Sequence, residues 1–293
     1  AYRILCRVES GSAYAVDLLQ NPRIADLKEV DRRLTTEIVM GVLRWRGELD
    51  FWIERLSGRP LKYFDPEVRT ILHLGIYQIR FLERIPKSAV VNDAVELTKS
   101  ARKRSAAGLV NAVLRKCAPP ASRLKAGRRG APDAEAMESA LRSLPAWLRE
   151  RWAEHFGPAG LKALAWASNV IPLTTLRLHT WGRRRDEVQR RLAEEGIRTR
   201  LGRYSHQALV VECGNVQASQ VVSQSRIVVQ DEASQLVAAL VAAAPAERVL
   251  DLCAAPGGPA FSLVLVLCGT AAAAADRSKE ELRQQEDTDG LPV

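Results

Sequence analysis

The chemistry of this chain would gather in Val249 to Gly258, which reads VLDLCAAPGG. Branched apolar residues around Asp251 suit a buried parallel strand, and Ala254, Ala255, Pro256, Gly257 and Gly258 then make a turn with almost no side chains. A loop of small residues at the carboxyl end of a strand lets backbone N–H groups approach a ligand closely. In open α/β sheets that is where nucleotides sit. The spacing is neither GxGxxG nor GxxxxGK followed by Ser or Thr, so composition and spacing support a nucleotide site only in general terms, with an ordinary strand-to-helix turn as the other reading.

A second kind of chemistry is electrostatic. The formal charge is +9 and the pI about 9.6, a balance that favours a polyanionic partner. Residues 1–130 carry 25 Lys and Arg against 14 Asp and Glu, whereas the remaining residues carry 18 against 20, so the excess lies in the first part. Lys99, Arg102, Lys103 and Arg104 form one cluster, Arg115 and Lys116 a second, and Arg183, Arg184 and Arg185 a third. Loops and helix ends that present such residues can grip phosphates without reading sequence, and a solvated surface explains them equally well on charge alone.

Five cysteines, Cys6, Cys117, Cys213, Cys253 and Cys268, are odd in number and scattered, and no CxxC pair occurs. Neither a disulfide framework nor a zinc site is predicted, and a reducing cytoplasm fits best. No charged region followed by an apolar stretch stands at the start of the sequence, so no signal peptide is predicted from it. Leu252 to Ala275 lacks charge but contains Pro256, Gly257, Gly258, Pro259 and Gly269, which reads as loop, helix, turn and strand rather than a membrane span.

The elements that must position these groups follow from periodicity. Residues 1–118 repeat apolar side chains at helical spacing, as in Val68, Ile71, Leu72, Ile76 and Ile79, and predict a bundle of five or more helices. Residues 119–137, rich in Pro, Gly and basic side chains, read as a linker. A helical stretch follows, interrupted at Gly157 and Pro158, with Trp147, Trp152 and Trp166 expected in the core. From Leu173 the order strand, helix, strand, strand predicts a small α+β domain, placed at 138–225. Asp231 is set to cap a helix beginning at Glu232. Residues 226–293 are expected to begin an α/β, Rossmann-like domain.

Particular strings then carry a resemblance. DLCAAPGG is similar to the S-adenosylmethionine loop of the RsmB/Sun family of ribosomal RNA cytosine-C5 methyltransferases, and QDEASQLVA to the lead-in to its catalytic domain. GVLRWRGELDFWIERL, HLGIYQIRFL, IPKSAVVNDAVELTK and SAAGLVNAVLRK resemble the NusB-like RNA-binding domain that opens that family, with Asn92, Asn111 and Arg115 at motif positions. The resemblance implies a monomeric enzyme acting on small-subunit ribosomal RNA, without metal. It further implies that Cys253, Ala254, Ala255, Pro256, Gly257 and Gly258 cradle the methionine part of S-adenosyl-L-methionine, and that Asp276 holds the ribose hydroxyls. Pro259 departs from the family's Lys, removing a charge and a donor. Methylation at C5 needs a thiolate that adds at C6, supplied in the family by TC and PC motifs. Neither motif occurs in residues 1–293, and neither Cys253 nor Cys268 is expected to replace them. The expectation is a methyltransferase truncated within its catalytic domain and inactive as written; the alternative is a noncatalytic RNA-binding protein that uses the NusB-like domain.

Overall fold

The computed structural model describes residues 1–119, 133–178, 185–224, 227–241 and 250. The chain divides into two units, Ala1–Ile171 and Pro172–Val293.

The first unit is helical. It contains α1 (Tyr2–Glu9), α2 (Ala15–Leu19), α3 (Pro22–Ala25), α4 (Glu29–Arg44), α5 (Arg46–Ser57), α6 (Pro66–Phe81), α7 (Lys87–Ser100), α8 (Ala107–Lys116), α9 (Ala134–Ser143) and α10 (Ala146–Asn169). Helix α6 starts with Pro66 at a position where the missing N–H costs nothing, and it is the central element. It buries residues all round, including Ile71, Leu72, Ile76 and Tyr77, so its neighbours α1, α4, α5, α7 and α8 can surround it. Close approach requires glycine. A side chain at Gly41 on α4 would lie 2.0 Å from Cζ of Tyr77, whose hydroxyl donates to Glu37 at 2.8 Å. Gly41→Ala must therefore displace a fully buried ring and is expected to cost about 2–3 kcal/mol, read from urea denaturation.

The sequence reading begins the α+β domain at 138. In the structure α9 and α10 pack instead on the helical core, with Ala140, Leu144 and Ala165 buried in it. An ionic contact explains why: Glu48 of α5, wholly buried, receives Ser139 and Arg142 of α9. Gly157 takes φ +67° and breaks α10 where the break was expected. Trp152 and Trp166 pack against the core, but Trp147 is 63% exposed because it lies on the outer face of the first turn of α10.

The second unit contains β1 (Thr175–Arg177), α11 (Arg185–Glu194), β2 (Arg198–Leu201), β3 (Ala208–Cys213), α12 (Gln220–Gln224), β4 (Val228–Val229) and α13 (Glu232–Val241). All described strand pairs are antiparallel, in the order β2-β3-β1-β4, a split β-α-β arrangement. Leu176, Leu209, Val188 and Leu192 form its core between sheet and α11. Strand β4 was expected to open the catalytic domain, yet it pairs with β1 through Leu176 and Val229. Asp231 caps α13 as expected, accepting from Ser234 N–H at 2.8 Å. The predicted Rossmann-like sheet falls on residues outside those described. Among the described residues no helix is long and apolar enough to cross a membrane, and no group of His, Cys, Asp and Glu is placed to hold a metal.

Candidate nucleic-acid interface

The hairpin of α7 and α8 is built by its connection. Helix α7 ends in a Schellman turn: Lys103 N–H bonds to Thr98 C=O at 3.1 Å, and Arg102 N–H to Lys99 C=O at 3.1 Å. This turn needs a left-handed residue, usually Gly, and here Arg102 takes it at φ +62°. A side chain there is strained. Arg102→Gly is expected to stabilise the unit by about 0.5–1 kcal/mol in chemical denaturation, while removing a cation from the surface.

The two helices bury Val90, Val91 and Ala94 against Val110, Val113 and Leu114, leaving a groove of about 900 Å³ on their outer side. Residues one turn apart line it: Lys87 or Ser88, then Val91 or Asn92, then Val95 on α7, and Gly108, Asn111 and Arg115 on α8. Gly108 leaves open space where a side chain would stand, so backbone is accessible at the floor.

Charge sits at one end of the groove and in the connection between the two helices. At one end Lys87 Nζ donates to the Arg115 carbonyl at 2.7 Å, setting a cation on the negative end of the α8 dipole. Arg115 Nε donates to Asn111 Oδ1 at 3.1 Å, which orients the guanidinium while its Nη groups make no bond among the described residues. Lys116 is exposed beside it. Asn92, midway, has no hydrogen-bond partner among the described residues, so its amide is available as donor and acceptor.

Where α7 ends and the chain connects to α8, the four predicted cations divide. Arg102 and Arg104 are exposed and without partners among the described residues. Lys99 pairs with Glu96 at 2.7 Å, and Lys103 with Asp65 at 2.7 Å and Glu67 at 3.6 Å. The hydrogen bond that Lys103 donates to Asp65 raises the Lys103 pKa, and these pairs on the surface weaken as salt rises. Only part of the cluster is thus free for phosphate.

The other predicted residues do not join this face. Arg185 donates to the His206 carbonyl at 2.9 Å, tying the start of α11 to the turn before β3. Arg183 and Arg184 lie outside the described residues, as do Cys253, Ala254, Ala255, Pro256, Gly257, Gly258, Pro259 and Asp276. Sequence reasoning overlooked Lys87, because only the pairing of α7 with α8 brings it to the end of α8. It also overlooked Cys213, an exposed thiol that receives Arg198 Nε at 3.1 Å and whose pKa that contact lowers. Cys117 is its opposite: burial pushes its thiol up to about 11.

Comparison with known proteins agrees with this architecture. Residues 1–119 match the NusB family, and residues 144–217 match the ferredoxin-like domain of RsmF/B-like methyltransferases. The second match straddles the boundary at Ile171, taking in α10 together with the sheet. Ribosomal RNA small subunit methyltransferase B of Pseudomonas putida is 34% identical over 272 residues, covering 92% of this chain and 60% of that protein. Its counterpart in Xanthomonas campestris is 32% identical over 268 residues, covering 90% and 57%. The chain thus spans about three fifths of the length of these relatives. A solved structure, PH0851, shares the fold with a TM-score of 0.57 at 20% identity, covering 83% of this chain and 54% of its own. The matched NusB and ferredoxin-like regions, with relatives aligned across nearly all of its residues, establish that the chain belongs to the RsmB/Sun family, that of the ribosomal RNA small subunit methyltransferases B.

Proposed function

We propose that the chain serves S-adenosylmethionine-dependent methylation of C5 of cytosine in small-subunit ribosomal RNA, and that the face of α7 and α8 holds that RNA. The observation that supports the RNA reading is the groove lined by the free Asn92 amide together with Lys87 and Arg115, with Lys116 exposed next to Arg115 in the chain and Arg102 and Arg104 exposed in the connection between α7 and α8. Cations beside a strand-sized groove neutralise phosphates, while its amides can meet bases or sugars. The cofactor would be held by Cys253 to Gly258 with Asp276, and it supplies the methyl group when bound. Pro259 in place of Lys weakens that site by one charge and one donor.

A second reading follows from a specific observation: within residues 1–293 no cysteine stands in a TC or PC pair, so this polypeptide binds RNA and does not itself methylate it. Titrating small-subunit ribosomal RNA transcripts into the chain across a salt series tests the RNA reading, and calorimetric titration of S-adenosylmethionine tests the cofactor reading. Affinity that does not fall with salt would refute the first. Tight S-adenosylmethionine binding together with methyl transfer by this polypeptide would refute the noncatalytic reading.

A further inference from the structure

Glycine weakens a helix relative to alanine, because it is freer in the unfolded chain, so a glycine inside one needs a reason. Two reasons recur in this chain. Gly11, Gly58, Gly157, Gly196 and Gly214 take a positive φ. Gly41, Gly47, Gly75, Gly160 and Gly202 have no room for a Cβ, which would stand 2.0–2.7 Å from a neighbouring atom. Gly108, in the first turn of α8, is the one described glycine with neither: its φ is not positive, and a Cβ there would meet nothing within 4 Å. Nothing in the described fold requires glycine at this position. What its missing side chain does is keep open the groove of about 900 Å³ that it lines together with Asn92 and Arg115.

The lining narrows the class of occupant. Lys87 and Arg115 stand together at one end and suit phosphate. Val91, Val95 and Ala107 give the groove an apolar wall on which sugars and base faces can pack, beside the unpartnered Asn92 amide. An occupant that offers negative charge and flat apolar faces from one flexible chain is a single strand of RNA. A duplex does not fit this lining. Its bases are stacked inside an A-form helix and present only edges, sugars and phosphates to a protein, so no base face could reach the wall.

We propose that the groove takes a single-stranded segment of RNA whose ribose–phosphate chain crosses α8 directly over Gly108, and that this glycine sets the clearance for it. This rests on the reading that the chain binds RNA on this face. Gly108→Leu tests it, since leucine is a good helix former and fills the space. Affinity for a labelled oligouridylate should fall about 30-fold, while the melting temperature holds or rises. Gly108→Ala, the milder step, should lose about threefold and melt slightly higher, and unchanged affinity there overturns the proposal if Gly108→Leu fails to fold. Ala89→Leu adds bulk to an exposed residue of α7 outside the groove and should stay within about twofold of wild type. The proposal is overturned if Gly108→Leu binds oligouridylate as wild type does, which leaves the groove to another occupant, or if Ala89→Leu loses as much. It is equally overturned if Gly108→Leu weakens a blunt RNA duplex of the same length as much as the single strand, or if Gly108→Ala melts well below wild type, which would give the glycine a structural role. Absence of salt-dependent RNA binding by wild type refutes the RNA reading itself, whereas salt-dependent wild-type binding unaffected by Gly108→Leu refutes only the single-strand groove.

Discussion

Glu48→Ala should lower the stability of the first unit by about 3 kcal/mol, the low end of the range for breaking a buried ion pair. Glu48 has no exposed surface, and its carboxylate accepts from Trp52 Nε1 at 2.7 Å, Ser139 Oγ at 2.9 Å and Arg142 Nε at 2.5 Å. Truncation leaves three donors without their acceptor. Arg142 retains some solvent contact and stacks over Phe51 at 4.4 Å, which is why the upper end of the range is not expected. Glu48→Gln keeps an acceptor but loses the charge, and should cost about half as much. Urea denaturation followed by tryptophan fluorescence measures both. A loss under about 1 kcal/mol would show that water replaces the carboxylate and that α9 is not clamped to α5. Limited proteolysis of the same variant tests the division of the chain, since cleavage within α9 should accelerate in Glu48→Ala if α9 belongs to the helical unit.

Reversing Lys87 and Arg115 together to Glu should weaken RNA binding by more than about 100-fold near physiological salt and reduce the salt slope by about two. Both residues bracket the same end of the groove, so two phosphate contacts are lost and repulsion replaces them. The fold should survive. Lys87→Glu gives up one exposed bond to the Arg115 carbonyl, yet it places an acid in the first turn of α7, where the helix dipole favours it. Lys99→Glu provides the comparison. Its cation already pairs with Glu96, so a smaller loss is expected. Fluorescence anisotropy over a salt series reads affinity and slope together, and equal losses in all variants would replace a located site with diffuse attraction.

Much of this protein is local and therefore legible. The helical repeat of Val68, Ile71, Leu72, Ile76 and Ile79 produced α6, because one side chain per turn must face the core. Gly196, at φ +76°, ends α11 as its type requires, and Asp231 caps α13 because its carboxylate reaches Ser234 N–H within one turn. Basic clusters were visible too, but their availability was not. Lys103 lies close in sequence to Arg102 and Arg104, and only the fold brings Asp65 and Glu67 against it.

What the sequence by itself determined was helix and strand positions, the excess of positive charge before residue 131 and the family strings, since each depends on neighbours along the chain. Tertiary structure decided which groups meet across it. Lys87 reaches the end of α8, α9 is drawn to the helical core by Glu48 across 91 residues, and β4 joins the sheet of β1. Arg177 and Gln230, 53 residues apart, become a single buried patch. The physical reason is common to all four: ion pairs, ladder bonds and burial depend on distance in space, and separation along the chain carries almost none of that information.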